Sequence, residues 1–416
     1  LSEKGAPSPS DVRASFHKKC YSRTKVTEFR FSFEGRQIVN TYYSMLGRLL
    51  DERTPLKNEG YYILNRDNQV IYDIKPPIQG EIVTIESFTN VLVEGCKQIL
   101  HSFADSPENK EVYAVSLYAG EHKNIYLYLN TLGRFNETLS KYQSSNQEYF
   151  ERDRIISLKY NRGDFDFQFW QEHMGQYGKY ITLFEQIGYV ALDLDKDELT
   201  GMVDGDPVVA FEAAIIDNGY NVCALKAMQQ LIAENAFDVL HKSDNFIAYA
   251  STGNDYVDYS MVMRKTIDKE LFYHIFPDLK ESDARFEEAM KQNMHLSLAD
   301  SIAYWSEAIE EDYCMERLFT FNRFEMEVFV QLERFGNILA KECLEKLTGF
   351  ARLDSIDMKN YKWVTFYIEA LHFTGELTAD QKEQCKKIAV RLAEVDRDLI
   401  DSAKELEALA GMGSVN

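Results

Sequence analysis

The clearest pattern of apolar and polar positions lies between residues 111 and 130. Val112-Tyr113-Ala114-Val115-Ser116-Leu117-Tyr118 and Ile125-Tyr126-Leu127-Tyr128-Leu129 both alternate with a period of two. In a strand that period sends successive side chains to opposite faces. Gly120-Glu121-His122-Lys123-Asn124 joins the two runs with turn-prone residues, so the stretch predicts a β-hairpin. Asn130-Thr131 then opens a short helix carrying Phe135, Leu139 and Tyr142.

The rest of the chain yields to the same reading. Residues 25–33 alternate and predict a strand. Ile38, Tyr42, Leu46, Leu49 and Leu50 share one face of a helix over 36–52. Tyr61–Leu64 and Val70–Tyr72 flank Arg66-Asp67-Asn68 and predict a second hairpin, closed by Pro76-Pro77. This section is either a layer on the next domain or a small module of its own. Phe88, Val91, Leu92, Cys96, Ile99 and Leu100 recur at helical spacing behind a cap at Thr84 or Ser87. A strand is expected near Ile155–Tyr160, a helix through Tyr180, Leu183, Phe184 and Ile187, and an acidic loop from Asp193 to Asp206. Helices are expected near 208–216 and 223–240, and strands at Asn245–Ala250 and Tyr256–Met263.

Helices and strands mix without a βαβ rhythm, which predicts an α+β fold with a mainly antiparallel sheet and flanking helices. From about residue 265 the strand signal is gone. Residues 282–349 and 359–373 are helical in pattern. Thr378-Ala379-Asp380-Gln381 is a capping box that opens a helix reaching about Ala410. The expected organisation is a tail over 1–22, a small α+β section over 23–80, an α+β domain over 81–280 and a helical domain over 281–416.

Several short motifs fall in 112–165: Tyr113-Ala114 with Leu117-Tyr118, Asn130-Thr131, Lys141-Tyr142, and Leu158-Lys159-Tyr160 followed by Asp164-Phe165. Their order resembles a bacterial family known only as domain of unknown function 4303. That family carries a Y-A-x-x-L-Y strand, an N-T helix start, a helix ending near K-Y, and an L-R-W-x-x-x-D-W segment. The resemblance spans about residues 84–280. Tyr160 and Phe165 stand where the family usually has Trp, which keeps aromatic bulk and loses the indole donor. The family has no settled activity, so the resemblance implies no catalytic set.

Composition narrows the function classes. With 416 residues the chain exceeds one ordinary core. It holds 67 acidic and 46 basic residues, a net charge of −21. Such a charge repels phosphate backbones and argues against sequence-independent nucleic-acid binding. It serves solubility, and it favours a basic protein partner. The cysteines at 20, 96, 223, 314, 343 and 385 show no C-x-x-C spacing, the usage of free thiols in a reducing compartment. No apolar stretch reaches membrane-span length, and LSEKGAPSPSDVR lacks the apolar core of a signal peptide. A soluble cytoplasmic protein is expected.

Candidate chemistry is sparse. The sequence has no H-E-x-x-H, no P-loop, no G-x-G-x-x-G and no G-x-S-x-G. Asp193, Asp195, Asp197 and Asp204 fit positions one, three, five and twelve of a calcium loop. Glu198 stands where the turn glycine belongs, and Asp204 where a bidentate Glu belongs. A solvated acidic linker is therefore expected, with no metal and no cofactor. Asp164, Asp166, Trp170, Glu172 and His173 form the densest cluster of polar and aromatic groups. They are the candidate lip of a ligand pocket, or a capped helix start over packed aromatics.

The last helix carries Cys385, Ile388, Leu392, Val395, Leu399, Ser402, Leu406 and Leu409 at heptad spacing. Ile388, Leu392, Val395, Leu399 and Leu406 are the candidate interface, for a second copy of the chain or for the helix's own domain. Together these features suggest a non-enzymatic protein-interaction or scaffold component, in a setting such as a bacterial conflict or defence system. The alternative is an enzyme, a hydrolase or nuclease component, with a site assembled from dispersed residues.

Overall fold

The computed structural model describes residues 45–200, 206–254, 257–310, 325–396 and 399–411. The strand expected at 25–33 lies outside them. Of the helix expected over 36–52, residues 45–50 are described and helical. The chain divides into two compact units, one of residues 46–277 and one that takes in residues 278–416. The fold is α+β. No helix among the described residues is long and apolar enough to cross a membrane.

The first unit holds two four-stranded sheets. One has the order β2-β1-β7-β3, from β1 (Tyr61–Asn65), β2 (Val70–Asp73), β3 (Glu81–Val83) and β7 (Pro207–Glu212). The other has the order β6-β5-β4-β8, from β4 (Val112–Ala119), β5 (Ile125–Thr131), β6 (Phe167–Phe169) and β8 (Lys242–Ser251). Both are mixed. β3 runs parallel to β7 and β4 parallel to β8, and the remaining pairs are antiparallel. Pairing of β1 with β7 makes the 61–73 hairpin a layer of this unit.

The central hairpin forms as its alternation predicts, with Val115 opposite Leu129, Leu117 opposite Leu127 and Ala119 opposite Ile125. These six side chains are essentially inaccessible to solvent. Each buried Leu contributes roughly 1.5–3 kcal/mol, so a one-residue slip in register would be costly.

The helices of this unit are α1 (Ile85–Ala104), α2 (Leu132–Ser145), α3 (Arg152–Tyr160), α4 (Gly178–Asp193), α5 (Lys196–Thr200), α6 (Tyr220–Ala233) and α7 (Lys269–Ile275). Thr84 and Ser87 exchange capping bonds at the start of α1, and Thr131 caps α2 through the Arg134 amide. Helix α6 packs on β4 and β8 and against α1.

Four local expectations are corrected. Residues 155–160 form α3, not a strand. Ile155, Ile156, Leu158 and Tyr160 suit either period, and the helix buries Leu158 and Tyr160 together. The helix expected at 208–216 begins as strand β7, because Val208–Phe211 insert between β1 and β3. The strand expected at Tyr256–Met263 is helical where described, with a π-turn over Asp258–Val262 and a 3₁₀ turn over Met263–Lys265. Here the Asp258 side chain accepts the Thr252 amide and turns the chain back after β8. Within the acidic stretch from Asp193, residues 196–200 coil into α5, while Asp204 lies outside the described residues.

In the second unit every described element is helical: α8 (Pro277–Asn293), α9 (Leu298–Glu310), α10 (Glu325–Val330), α11 (Asn337–Phe350), α12 (Met358–Leu371), α13 (Ala379–Val395) and α14 (Ile400–Leu409). The capping box opens α13. The Gln381 amide donates to Thr378 Oγ1 at 3.3 Å and the Thr378 amide to Gln381 Oε1 at 2.9 Å. The single helix expected to reach Ala410 is broken. Asp396 is extended, at φ −149 and ψ 128, and a separate α14 packs on α13 and α12. The heptad seam thus continues across a turn rather than along one rod. Ile388, Leu392, Leu399 and Leu406 are buried inside this unit, and Val395 is half-buried.

Candidate functional site

The motif positions in 112–165 converge on one side chain, Tyr113 of β4. Its ring is met edge-on by Phe135 of α2, Tyr160 of α3 and Phe165, with centroids 6.0, 5.7 and 5.9 Å away. Its hydroxyl donates to the Lys159 carbonyl at 2.5 Å and accepts from Asn130 Nδ2 at 3.1 Å. The Lys159 ammonium lies 4.8 Å from the centre of the same ring. Burial pushes the Tyr113 phenol well above its usual range and pulls the Lys159 ammonium down. Asp164 closes the cluster. Its carboxylate accepts from Tyr142 Oη at 2.7 Å and from Asn161 Nδ2 at 2.5 Å. That bond, with burial behind it, raises the Tyr142 phenol to about 12.

Next to this knot, one face of the second sheet is polar. Register places Ser116 between Tyr128 and Tyr249, and Tyr118 between Tyr126 and Ser251. Tyr118 and Tyr126 stack with centroids 6.1 Å apart and planes 12° from parallel. Tyr128 meets both edge-on at 5.9 Å. Ser116 and Tyr249 form a closed floor, while Tyr118, Tyr126 and Tyr128 are half-buried. Burial raises the Tyr118 phenol to about 12 against the opposing pull of Arg162.

Arg162 holds this face in place. Its guanidinium lies 5.5 Å from the Tyr118 ring centre, and Nη1 is 2.7 Å from Asp258 Oδ2. Asp258 is fully buried and also accepts from Ser251 Oγ at 2.6 Å, Thr252 Oγ1 at 2.8 Å and the Thr252 amide at 2.8 Å. A buried carboxylate survives only with such pairing and hydrogen bonding. Gly253 sits at φ +87, and a Cβ there would lie 3.0 Å from the Tyr118 ring, so the turn after β8 admits the tyrosine.

A second polar cluster lies at the far end of the hairpin. Lys123, in the β4–β5 turn, is only 5 % exposed. Its Nζ donates to the Asp217 carbonyl at 2.9 Å and lies 4.5 Å from the Tyr220 ring centre. Its stem runs along Gly188, where a Cβ would come within 2.6 Å of Lys123 Cβ. The Asp217 carboxylate accepts from Tyr62 Oη at 3.0 Å and Lys196 Nζ at 2.8 Å. Asp217 belongs to a π-turn over Ile215–Gly219, a distortion frequent at functional sites. Burial lowers the Lys123 ammonium to about 8. A lysine in a turn reads as solvated, so nothing in the sequence marked this residue.

The five pocket candidates separate. Asp164 joins the Tyr113 knot. Asp166 faces Arg134 at 3.8 Å. Trp170 and His173 pack on each other, with centroids 4.5 Å apart at 90°, and the Trp170 amide donates to His173 Nδ1 at 3.2 Å. Glu172 is exposed. His173 therefore orders its own turn rather than facing Asp164. In the acidic stretch, the Asp195 amide donates to Glu198 Oε2 at 2.8 Å as α5 begins, and Asp197 is exposed on that helix. No family model, curated protein or solved structure matches the chain.

Proposed function

We propose that this chain is a non-catalytic protein-interaction component that presents the Tyr118–Tyr126–Tyr128 face, with Arg162, to a protein partner. The observation that carries this reading is the fixed, half-buried aromatic trio on the two central strands of the sheet. Tyrosine and arginine dominate interface hot spots. Rings already packed against one another lose little side-chain freedom on binding. The guanidinium is compensated by Asp258, so it adds a flat stacking surface without an unpaired charge.

The net charge of −21 favours a basic partner. Kinship with domain of unknown function 4303 belongs to the same reading, and the meeting of Tyr113, Asn130, Tyr142, Tyr160, Asp164 and Phe165 in one knot supports it. A setting that suits an acidic binder is a bacterial conflict or defence system in the cytoplasm, where it neutralises or scaffolds a cationic protein.

The test is a pull-down with quantitative mass spectrometry, comparing the wild type with Tyr126→Ala/Tyr128→Ala. Both variant positions are half-buried, so loss of the three ring contacts should lower the melting temperature, while circular dichroism and a cooperative melt should show the double variant still folded at the pull-down temperature. A genuine partner should be retained at least about tenfold less by the double variant. A partner held equally well by both proteins, or none held by the wild type, would refute the reading.

A further inference from the structure

The helical unit contains a converged set of side chains that the tyrosine face does not use. Glu369 lies in the last turn of α12 and His372 at its C-cap, still in right-handed helical conformation at φ −64 and ψ −16. The pair has Glu-x-x-His spacing, which places both side chains on one helix face. Glu405 reaches the same point from α14. His372 Nε2 and Glu405 Oε1 are 2.8 Å apart. One potential ligand atom from each of the three residues lies within 4.8 Å of the others, and no other such group of His, Cys, Asp or Glu occurs among the described residues. Glu369 is 8 % exposed, and the His372 and Glu405 side chains are 14 % and 20 % exposed.

Two enclosed carboxylates this close repel each other, and a cation held among the three side chains would relieve that repulsion. The C-terminal end of α12 adds the partial negative charge of its last carbonyls. The surroundings therefore favour a cation of charge two. Around a tetrahedral ion with bonds of about 2.1 Å, ligand atoms sit roughly 3.4 Å apart. The His372–Glu405 pair, 2.8 Å apart, would open by about 0.6 Å, and Glu369, within 4.8 Å of both, would close by about 1.4 Å at most. Rotamer adjustments of one long side chain cover that range.

We propose that Glu369, His372 and Glu405 bind one divalent ion of the first transition series. The donor set argues for that class, since imidazole with carboxylates suits zinc, ferrous iron or manganese. Calcium and magnesium prefer all-oxygen shells. Glu-x-x-His on one helix with a carboxylate from a neighbour is also how helical bundles build metal centres. Three protein ligands leave a fourth position on a tetrahedral ion to solvent. Glu369 and Glu405 have further interactions within the chain, so the ion must compete with them for the carboxylates.

The experiment is titration of chelator-treated full-length protein with Zn²⁺ and with Co²⁺. One ion per chain is expected, with a Kd below about 10 µM and the strong visible absorption of cobalt in a low-coordinate site. Glu405→Gln keeps a hydrogen-bonding group beside His372 but removes a charged ligand. It should weaken binding at least tenfold without lowering the apoprotein melting temperature. X-ray absorption on the zinc-loaded wild type needs no variant and should show one imidazole among oxygen ligands. No stoichiometric binding, an all-oxygen shell, or undiminished binding in Glu405→Gln would each overturn the proposal.

Discussion

Arg162 Nη1 lies 2.7 Å from Asp258 Oδ2 across 96 positions of sequence, and the carboxylate it meets is sealed from solvent. This contact ties the segment after α3 to the turn after β8, and it sets the Tyr118 ring under a guanidinium. Losing one member of a buried pair leaves the other uncompensated and costs about 3–5 kcal/mol. Asp258→Ala should therefore lower the stability of the first unit by that amount in urea denaturation. Arg162→Leu/Asp258→Ala should recover part of the loss, because no charge is then stranded. Equal instability of the single and double variants would show that the three other donors to Asp258, not Arg162, hold the turn.

Tyr113→Phe separates ring packing from the hydroxyl. The three edge-on aromatic contacts persist, while the Lys159 carbonyl and Asn130 Nδ2 each lose a partner. Leaving such groups unsatisfied costs about 1–3 kcal/mol. The expected result is that loss in chemical denaturation, with an unchanged near-ultraviolet signature at low denaturant. A neutral substitution would mean that other partners replace the hydroxyl.

Lys123 makes the stability of the first unit pH-dependent on the alkaline side. The unfolded chain holds this proton up to about pH 10.4, whereas the folded chain releases it from about 8. Between those values the unfolded state binds more protons, so stability rises with pH. Above about pH 10 the buried tyrosines act in the opposite sense. Their phenols ionise in the unfolded chain first. Lys123→Met removes the lysine contribution. Measured from pH 7.5 to 9.5, the stability difference should move in favour of the wild type by about 1–3 kcal/mol. A difference that stays constant with pH would show that Lys123 titrates as an ordinary surface lysine.

Leu392 tests how the C-terminal seam is covered. It is fully buried where α13 meets α14. Leu392→Ala should cost about 2–5 kcal/mol through the cavity it leaves. Leu392→Asp should unfold the helical unit, with the first unit's transition retained. Light scattering should give Leu392→Ala the same mass as the wild type. A folded species of lower mass would show that the seam also joins two copies of the chain.

The four buried thiols give a further check. Cys96, Cys223, Cys343 and Cys385 are free, and burial raises each of them, Cys96 to about 12 and Cys223 and Cys385 to about 11. A buried thiol with little thiolate reacts slowly. Native-state labelling should modify no more than Cys20 and Cys314 quickly. Rapid reaction of any of the other four would contradict the packing.

By itself the sequence determined what depends on neighbours along the chain. Alternation marked the hairpin at 112–131, and the turn residues Arg66-Asp67-Asn68 between two apolar runs marked the one at 61–73. Thr84, Thr131 and Thr378 announced helix starts because their capping partners lie within three residues. Ambiguity began where both periods fit. Ile155, Ile156, Leu158 and Tyr160 alternate as a strand would, yet the segment is α3, with Tyr160 packed edge-on against Tyr113. Val208–Phe211 became a strand because β1 and β3 supplied edges on either side. The heptad seam persists over 385–409, but the extended Asp396 folds it into two helices that cover each other. Which side chains converge at the candidate sites was decided by the tertiary structure. Arg162 and Asp258 are far apart in sequence, Lys123 sits in a turn that reads as solvated, and Glu405 is 33 residues beyond His372. Burial and charge pairing are properties of the assembled environment, and no local pattern of residues encodes them.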